Sequence, residues 1–269
     1  MEKKIFFTDL DGTLLNDKKE ITPKTRDILA KIRNHGHYIV LISGRPLMSV
    51  LEARKELPIS DQNLYLVASN GGMIFDVQNN TILKENRLTY EQTAFLLDYM
   101  EKAKIHCQTY KDDAVVAKKQ TEELTFYQKT VHMPSIITND IIAALDKPPL
   151  KCLAISFERE KLEKVKEELQ PQIKDEVFMM FSNNRLLEMI PATSGKGTAL
   201  KWLSEYLGVK IENTLAAGDQ DNDSSMIETA GMGVAMINGS EMVKKVADRI
   251  TLEDNNHDGL VPVLEEFFL

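Results

Sequence analysis

The sequence predicts an α/β protein: a parallel-sheet core into which a separate α+β unit is inserted. Three observations carry that prediction. Ile5-Phe6-Phe7 and Tyr38–Ile42 are short continuous apolar runs, as expected of strands covered on both faces. A helical pattern lies between them, giving strand–helix–strand order and so a right-handed crossover between parallel strands. From about Asn86 the texture changes to mixed strands and helices, and at Pro191 the first texture returns.

The elements follow in order. Thr22-Pro23 reads as an N-cap with Pro at the first helical position; Ile28, Leu29 and Ile32 keep helical spacing, and Gly36 ends the helix. After the Tyr38–Ile42 strand, Ser43-Gly44-Arg45 leads into a helix over about Pro46 to Leu57, an arrangement that offers free N–H groups to an anion. Leu64 to Ala68 is a third strand ending in Ser69-Asn70-Gly71-Gly72, and Met73–Phe75 with Ile82–Leu83 form a hairpin around Asn79-Asn80. The insert opens with an amphipathic helix over Thr89–Lys104, then strands at His106–Tyr110 and Ala114–Ala117. Residues 120–148 are polar with weak periodicity. A strand at Leu150–Phe157, a helix at Arg159–Gln170 and strands at Val177–Phe181 and Leu186–Ile190 complete the insert. Gly195-Lys196-Gly197 then opens a helix to Leu207, Thr214–Ala217 is a strand ending in Gly218-Asp219, and Gly259–Leu269 is a closing helix.

Composition narrows the function. With 269 residues, 43% hydrophobic and 28% charged, the chain reads as a soluble globular protein of about two domains. A net charge of −8 argues against nonspecific nucleic-acid binding, though not against a local anion site. The run after Met1–Lys4 stops at Asp9, too early for a signal peptide, and Tyr38–Ile42 is far too short to span a bilayer. Cys107 and Cys152 lack metal-ligand spacing and fit reduced thiols in the cytoplasm.

Polar residues gather at the ends of the apolar runs. Asp9 and Asp11, two apart at a strand's end, project to one side, and Gly12 lets the chain turn. Two close carboxylates repel unless a cation or a shared proton intervenes, which fits a magnesium site with one carboxylate free to attack an electrophile. The same residues also fit a plain strand followed by an Asp-Gly turn, and the choice rests on matching parts downstream. Those parts are Ser43-Gly44-Arg45, Lys196, and Asp219 with Asn222-Asp223. A lysine at the positive end of a helix is awkward unless an anion is near it.

This set resembles the four signature motifs of the haloacid dehalogenase superfamily: Asp9-Leu10-Asp11-Gly12-Thr13, Ser43, Lys196, and Gly218-Asp219 with Asn222-Asp223. Asn70-Gly71-Gly72, Gly195-Lys196-Gly197 and Asn256-His257-Asp258-Gly259 point further to its Cof-like phosphatases, and the insert is similar to their type IIB cap. The resemblance covers essentially the whole chain. It implies a Rossmann-like hydrolase core over residues 1–82 and 191–269 and a cap over 83–190. It implies Asp9 as nucleophile, Asp11 as acid and base, and Lys196 as the balancing charge. Magnesium would be held by Asp9, the Asp11 carbonyl and Asp219, with Asp223 in support. The phosphate would be bound by Gly12, Ser43, Gly44 and Asn222, with Asn70 tipped toward the site. Arg45 reads equally as a substrate contact or as a cap for local carbonyls. The implied activity is hydrolysis of a small phosphorylated metabolite, such as a sugar phosphate. A phosphomutase and a non-catalytic phosphometabolite-binding regulator are the alternatives. The expected partner is that metabolite alone, with no nucleic acid or membrane, and the chain a monomer or weak homodimer. The five histidines show no triad or metal spacing and read as surface or loop residues, with His106 or His132 of the cap as the alternative for facing substrate; Met179-Met180 are expected in the cap core and Lys118-Lys119 on a solvated face.

Overall fold

In the computed structural model, which describes residues 2–55, 59–129, 131 and 133–269, the opening apolar run forms β1 (Ile5–Thr8). Next come α1 (Pro23–Asn34), β2 (Tyr38–Ile42), α2 (Leu47–Lys55), β3 (Leu64–Ala68) and the hairpin β4 (Met73–Asp76) and β5 (Thr81–Glu85). Thr22 caps α1 through its side chain, and the chain leaves the helix through Gly36 at φ 79°. The expected end of α2 at Leu57 lies outside the described residues.

The insert contains α3 (Tyr90–Lys102), β6 (His106–Tyr110), β7 (Val115–Ala117), α4 (Glu122–Gln128), β8 (Ser135–Ile137), β9 (Cys152–Ile155), α5 (Arg159–Ile173), β10 (Val177–Asn183) and β11 (Leu186–Pro191). Helix α4 and strand β8 occupy the stretch that showed no clear periodicity. The chain closes with α6 (Lys196–Tyr206), β12 (Thr214–Gly218), α7 (Ser224–Thr229), β13 (Met232–Ala235), α8 (Glu241–Val246), β14 (Arg249–Ile250) and α9 (Val261–Phe268).

The strands form two sheets. The first has the order β14-β13-β12-β1-β2-β3-β4-β5, parallel from β14 to β3, with the β4–β5 hairpin antiparallel at one edge. Its strands are apolar on both faces because both are covered. Phe6, Ile39 and Leu41 pack with Ile28 and Ile32 of α1 and Leu264 and Phe268 of α9. Ile5, Phe7, Val40 and Ile42 face the other way, toward Leu200 and Leu203 of α6 and Met226 of α7. Strand β5 carries this sheet through Glu85, so the chain leaves it later than the boundary expected at Ile82.

The second sheet has the order β10-β11-β9-β6-β7-β8. Helices α3 and α5 cover one face, where Leu96, Leu162 and Leu169 meet Cys152, Met179, Leu187 and Met189. Helix α4 lies on the other face, with Leu124 and Tyr127 against Tyr110 and Leu153. Backbone bonds from Asn86 to Gly72 (2.8 Å) and from Leu88 to Pro149 (2.9 Å) tie the passage between the sheets. Among the described residues no helix is long and apolar enough to cross a membrane.

Candidate active site

The two directions in which the first sheet grows diverge at β1, which is flanked by β2 and β12. Ligands of open parallel sheets bind outside the carboxyl ends of strands at such a reversal. Asp9 follows β1, Ser43 follows β2 and Asp219 follows β12, so register alone gathers three of the expected residues. Two glycines make room. A Cβ on Gly12, at φ 83°, would stand 2.5 Å from Asp219 Oδ2, and one on Gly218 would stand 2.4 Å from Asp223 Cβ.

Beneath the loops lies a charge cluster. Lys196, the first residue of α6, is fully buried, and its Nζ sits 2.5 Å from both Asp9 Oδ1 and Asp223 Oδ1. Asp223 Oδ2 accepts the backbone N–H groups of Asp219 and Gln220, each at 2.9 Å. Asp219 is held by Thr13 Oγ1 and Gln220 Nε2, both at 2.8 Å. Carboxylate oxygens of Asp9, Asp219 and Asp223 come within 4.8 Å of one another. One ammonium, in contact with two of them, thus stands against three carboxylates. Burial pushes the Asp9 carboxyl well above the usual range; Lys196 pulls it down, and Asp223 and Asp219 push it further up. Burial, then the charge of Asp223, raises Asp219 to about 6. Burial works against the Lys196 charge, but Asp223 and Asp9 outweigh it and raise its pKa. The donor set is oxygen only, compact and under-neutralised, which suits a hard divalent cation.

Asp11 is differently placed. Its carboxylate receives Arg45 Nε at 2.9 Å and an Arg45 terminal nitrogen at 2.7 Å, a bidentate pair, and Lys19 Nζ at 2.7 Å. Burial pushes its pKa up, but Arg45 and Lys19 prevail and hold it below the ordinary value. The Asp11 carboxylate stands outside the three-aspartate group. Arg45 therefore binds Asp11 through its side chain, while its backbone N–H donates to Ser43 Oγ at 3.2 Å. Asn222 Nδ2 donates to Asn70 Oδ1 at 2.9 Å. Asn70, in the left-handed region at φ 53°, is fully buried behind Asn222.

These groups open into a cavity of about 230 Å³. The first sheet supplies Asp9, Asp11, Ser43, Gly44, Arg45 and Asn222; Asn70 and Gly12 do not line it. The second sheet and α4 supply Tyr127, Lys151, Ser182, Leu186 and Glu188, none of which sequence reasoning singled out. A signal existed for one of them: Glu188 is a lone charge in the apolar run Leu186–Ile190. His106 does not reach the cavity; it bonds Gln108 and Thr121 within the cap. His132 lies outside the described residues. Met179 and Met180 are buried in the cap.

Fold and site together define a hydrolase built of a parallel-sheet core and an inserted second sheet, with the buried aspartate group on the core side. The chain belongs to the haloacid dehalogenase-like hydrolases, whose family model matches residues 6–264. A crystal structure of a haloacid dehalogenase-like hydrolase from Bacteroides thetaiotaomicron is 33% identical, covers 99% of this chain and 100% of its own, and superposes with a TM-score of 0.87. The 5-amino-6-(5-phospho-D-ribitylamino)uracil phosphatase YwtE of Bacillus subtilis is 27% identical over 96% of each chain. The subclass IIB sugar phosphatase BT4131 shares the fold, with a TM-score of 0.81 at 22% identity, over 98% of this chain and 99% of its own. The chain is a phosphatase of this superfamily.

Proposed function

We propose that this protein is a magnesium-dependent phosphatase that hydrolyses a small phosphorylated metabolite, a sugar phosphate or similar, through an aspartyl-phosphate on Asp9. The observation that carries this reading is the position of Asp9. It is the one carboxylate that both belongs to the buried three-aspartate group and lines the cavity. Lys196 holds one of its oxygens, which aims the other as a nucleophile. Asp9 attacks phosphorus, and the bond to the leaving oxygen breaks as Asp11 delivers a proton to it. Asp11 then takes a proton from the water that hydrolyses the acyl phosphate. The Arg45 and Lys19 contacts keep Asp11 ionised in the free site, so substrate must loosen them before Asp11 takes up from solvent the proton that it delivers; the proton gained from the hydrolytic water returns to solvent as the contacts re-form. Ser43, the Gly44 backbone and the second N–H of Asn222 bond the phosphoryl oxygens. Asp9, Asp219 and the Asp11 carbonyl would hold magnesium, with Asp223 behind them; the cation supplies positive charge to the phosphoryl group. Free thiols at Cys107 and Cys152 fit the cytoplasm as its compartment.

The test is phosphate release from a panel of phosphorylated metabolites, with and without chelator. Release that stops on chelation and returns with magnesium is expected. Full turnover in chelator, with metal content confirmed as negligible, would refute the scheme.

A further inference from the structure

The cavity's far wall holds a charge pair with no part in the phosphoryl chemistry. Lys151 and Glu188 are 1% and 3% exposed in their side chains, and Lys151 Nζ lies 2.7 Å from Glu188 Oε2. Period-two alternation explains their direction. Cys152 and Ala154 of β9 and Leu187 and Met189 of β11 face α3 and α5, so Lys151 and Glu188 face the cavity. Lys151 Nζ also donates to Gly44 O at 2.8 Å, reaching from the cap to the phosphate-side loop, and it lies over the Tyr110 ring, 5.0 Å from its centroid. Two of the ammonium's three donors are thus hydrogen-bonded within the protein. Burial opposes its charge, but Glu188 prevails and keeps it protonated. Glu188 is less occupied: Oε2 accepts Lys151 and Oε1 accepts Ser182 Oγ at 3.0 Å, out of about four lone-pair sites.

We infer that Glu188, positioned by Lys151 and Ser182, selects a neutral, hydroxyl-bearing leaving group and rejects one with a second anionic group. This inference rests on the phosphatase reading above. A leaving-group hydroxyl donates to the spare acceptor sites of Glu188. A second phosphate meets a Lys151 ammonium already bound to Glu188 and Gly44, and the Glu188 carboxylate beside it repels it. Lys151 acts as a positioning residue, fixing Glu188 and linking it to Gly44.

The experiment compares kcat/KM for glucose 6-phosphate, fructose 1,6-bisphosphate and p-nitrophenyl phosphate, each variant being checked for folding by circular dichroism. The parent is expected to favour the monophosphate over the bisphosphate by roughly tenfold or more. In Glu188→Gln the sugar monophosphate to p-nitrophenyl phosphate ratio should fall roughly tenfold, because a charge-assisted acceptor is lost. The bisphosphate to monophosphate ratio should rise, because the Lys151 charge is no longer offset. Lys151→Met should move that second ratio the opposite way. Opposite signs are a readout that loss of packing does not produce. Ser182→Ala, which removes a neutral donor, should lower the first ratio and leave the second alone; it serves if a charge variant does not fold. The assignment is overturned if the parent prefers the bisphosphate, or if Glu188→Gln and Ser182→Ala lower all three substrates in equal proportion. Failure of the parent on every ester, p-nitrophenyl phosphate included, would instead overturn the phosphatase reading and the assignment with it.

Discussion

Replacing Lys196 by methionine removes the one cation that, among the described residues, touches the buried aspartates. The residue is fully buried with two partners at 2.5 Å, so the substitution strands both Asp9 and Asp223 beside Asp219. Breaking a buried ion pair from one side costs roughly 3–5 kcal/mol. For a chain of this size that corresponds to a fall in Tm on the order of 10 °C. The pH dependence has a definite sign. The Lys196 pKa is raised on folding, so its contribution is complete at every pH below its unfolded value of about 10.4. Change at lower pH must come from the carboxylates. Asp9 and Asp219 both have raised pKa values; Asp219 takes up its proton as pH falls through about 6, and the variant's deficit should shrink there. Magnesium should also restore part of the loss by binding only the folded site, by roughly 2.7 kcal/mol at a hundredfold excess over Kd. Turnover should drop by roughly 100- to 1000-fold, the size of one lost charge-stabilising donor. Thermal unfolding with and without magnesium, at about pH 5.5 and about pH 7.5, together with kcat, measures all of this. A variant with the parent's Tm in chelator and turnover within a few-fold would refute Lys196 as the balancing charge.

Two further outcomes follow from the same charges. In chelator the parent itself should lose stability as pH rises from about 4 to about 6, because Asp219 binds its proton more tightly folded than unfolded; magnesium should abolish that slope, and its affinity should weaken as pH falls through about 6. Denaturant titrations across that range check both statements. Arg45→Met should raise the Asp11 pKa, since Arg45 holds it down, and so move the alkaline limb of the kcat/KM profile, where the proton that Asp11 delivers is lost, to higher pH; an unmoved limb would separate Asp11 from that limb.

The core was legible because its signals are local. Ile5–Phe7 and Tyr38–Ile42 are apolar on both faces, and Thr22-Pro23 and Gly36 mark the ends of α1. Once the strands are parallel, their carboxyl ends must meet, so Asp9, Ser43 and Asp219 converge without further information. The cap was less legible for equally physical reasons. Helix α4 has only seven residues and buries Leu124 and Tyr127, too few for a period to register, although Thr121 caps it and Glu122-Glu123 favour its first turn. Strand β8 has three residues and gains its place from pairing with β7. Lys151 and Glu188 meet only through the antiparallel pairing of β9 with β11, a long-range fact that neither local stretch contains. Arg45 was open between two roles, and its bidentate grip on Asp11 depends on the β1–β2 register rather than on its neighbours.

The central claim is that phosphorus is carried by Asp9. Its most direct measurement is a rapid acid quench during turnover, followed by mass spectrometry of the proteolysed chain. The account predicts one phosphoryl group on the peptide containing Asp9, absent from Asp9→Asn, whose turnover falls by orders of magnitude while its fold persists. Steady turnover with no phosphorylated peptide at any quench time, or an Asp9→Asn variant that keeps most activity, would contradict it.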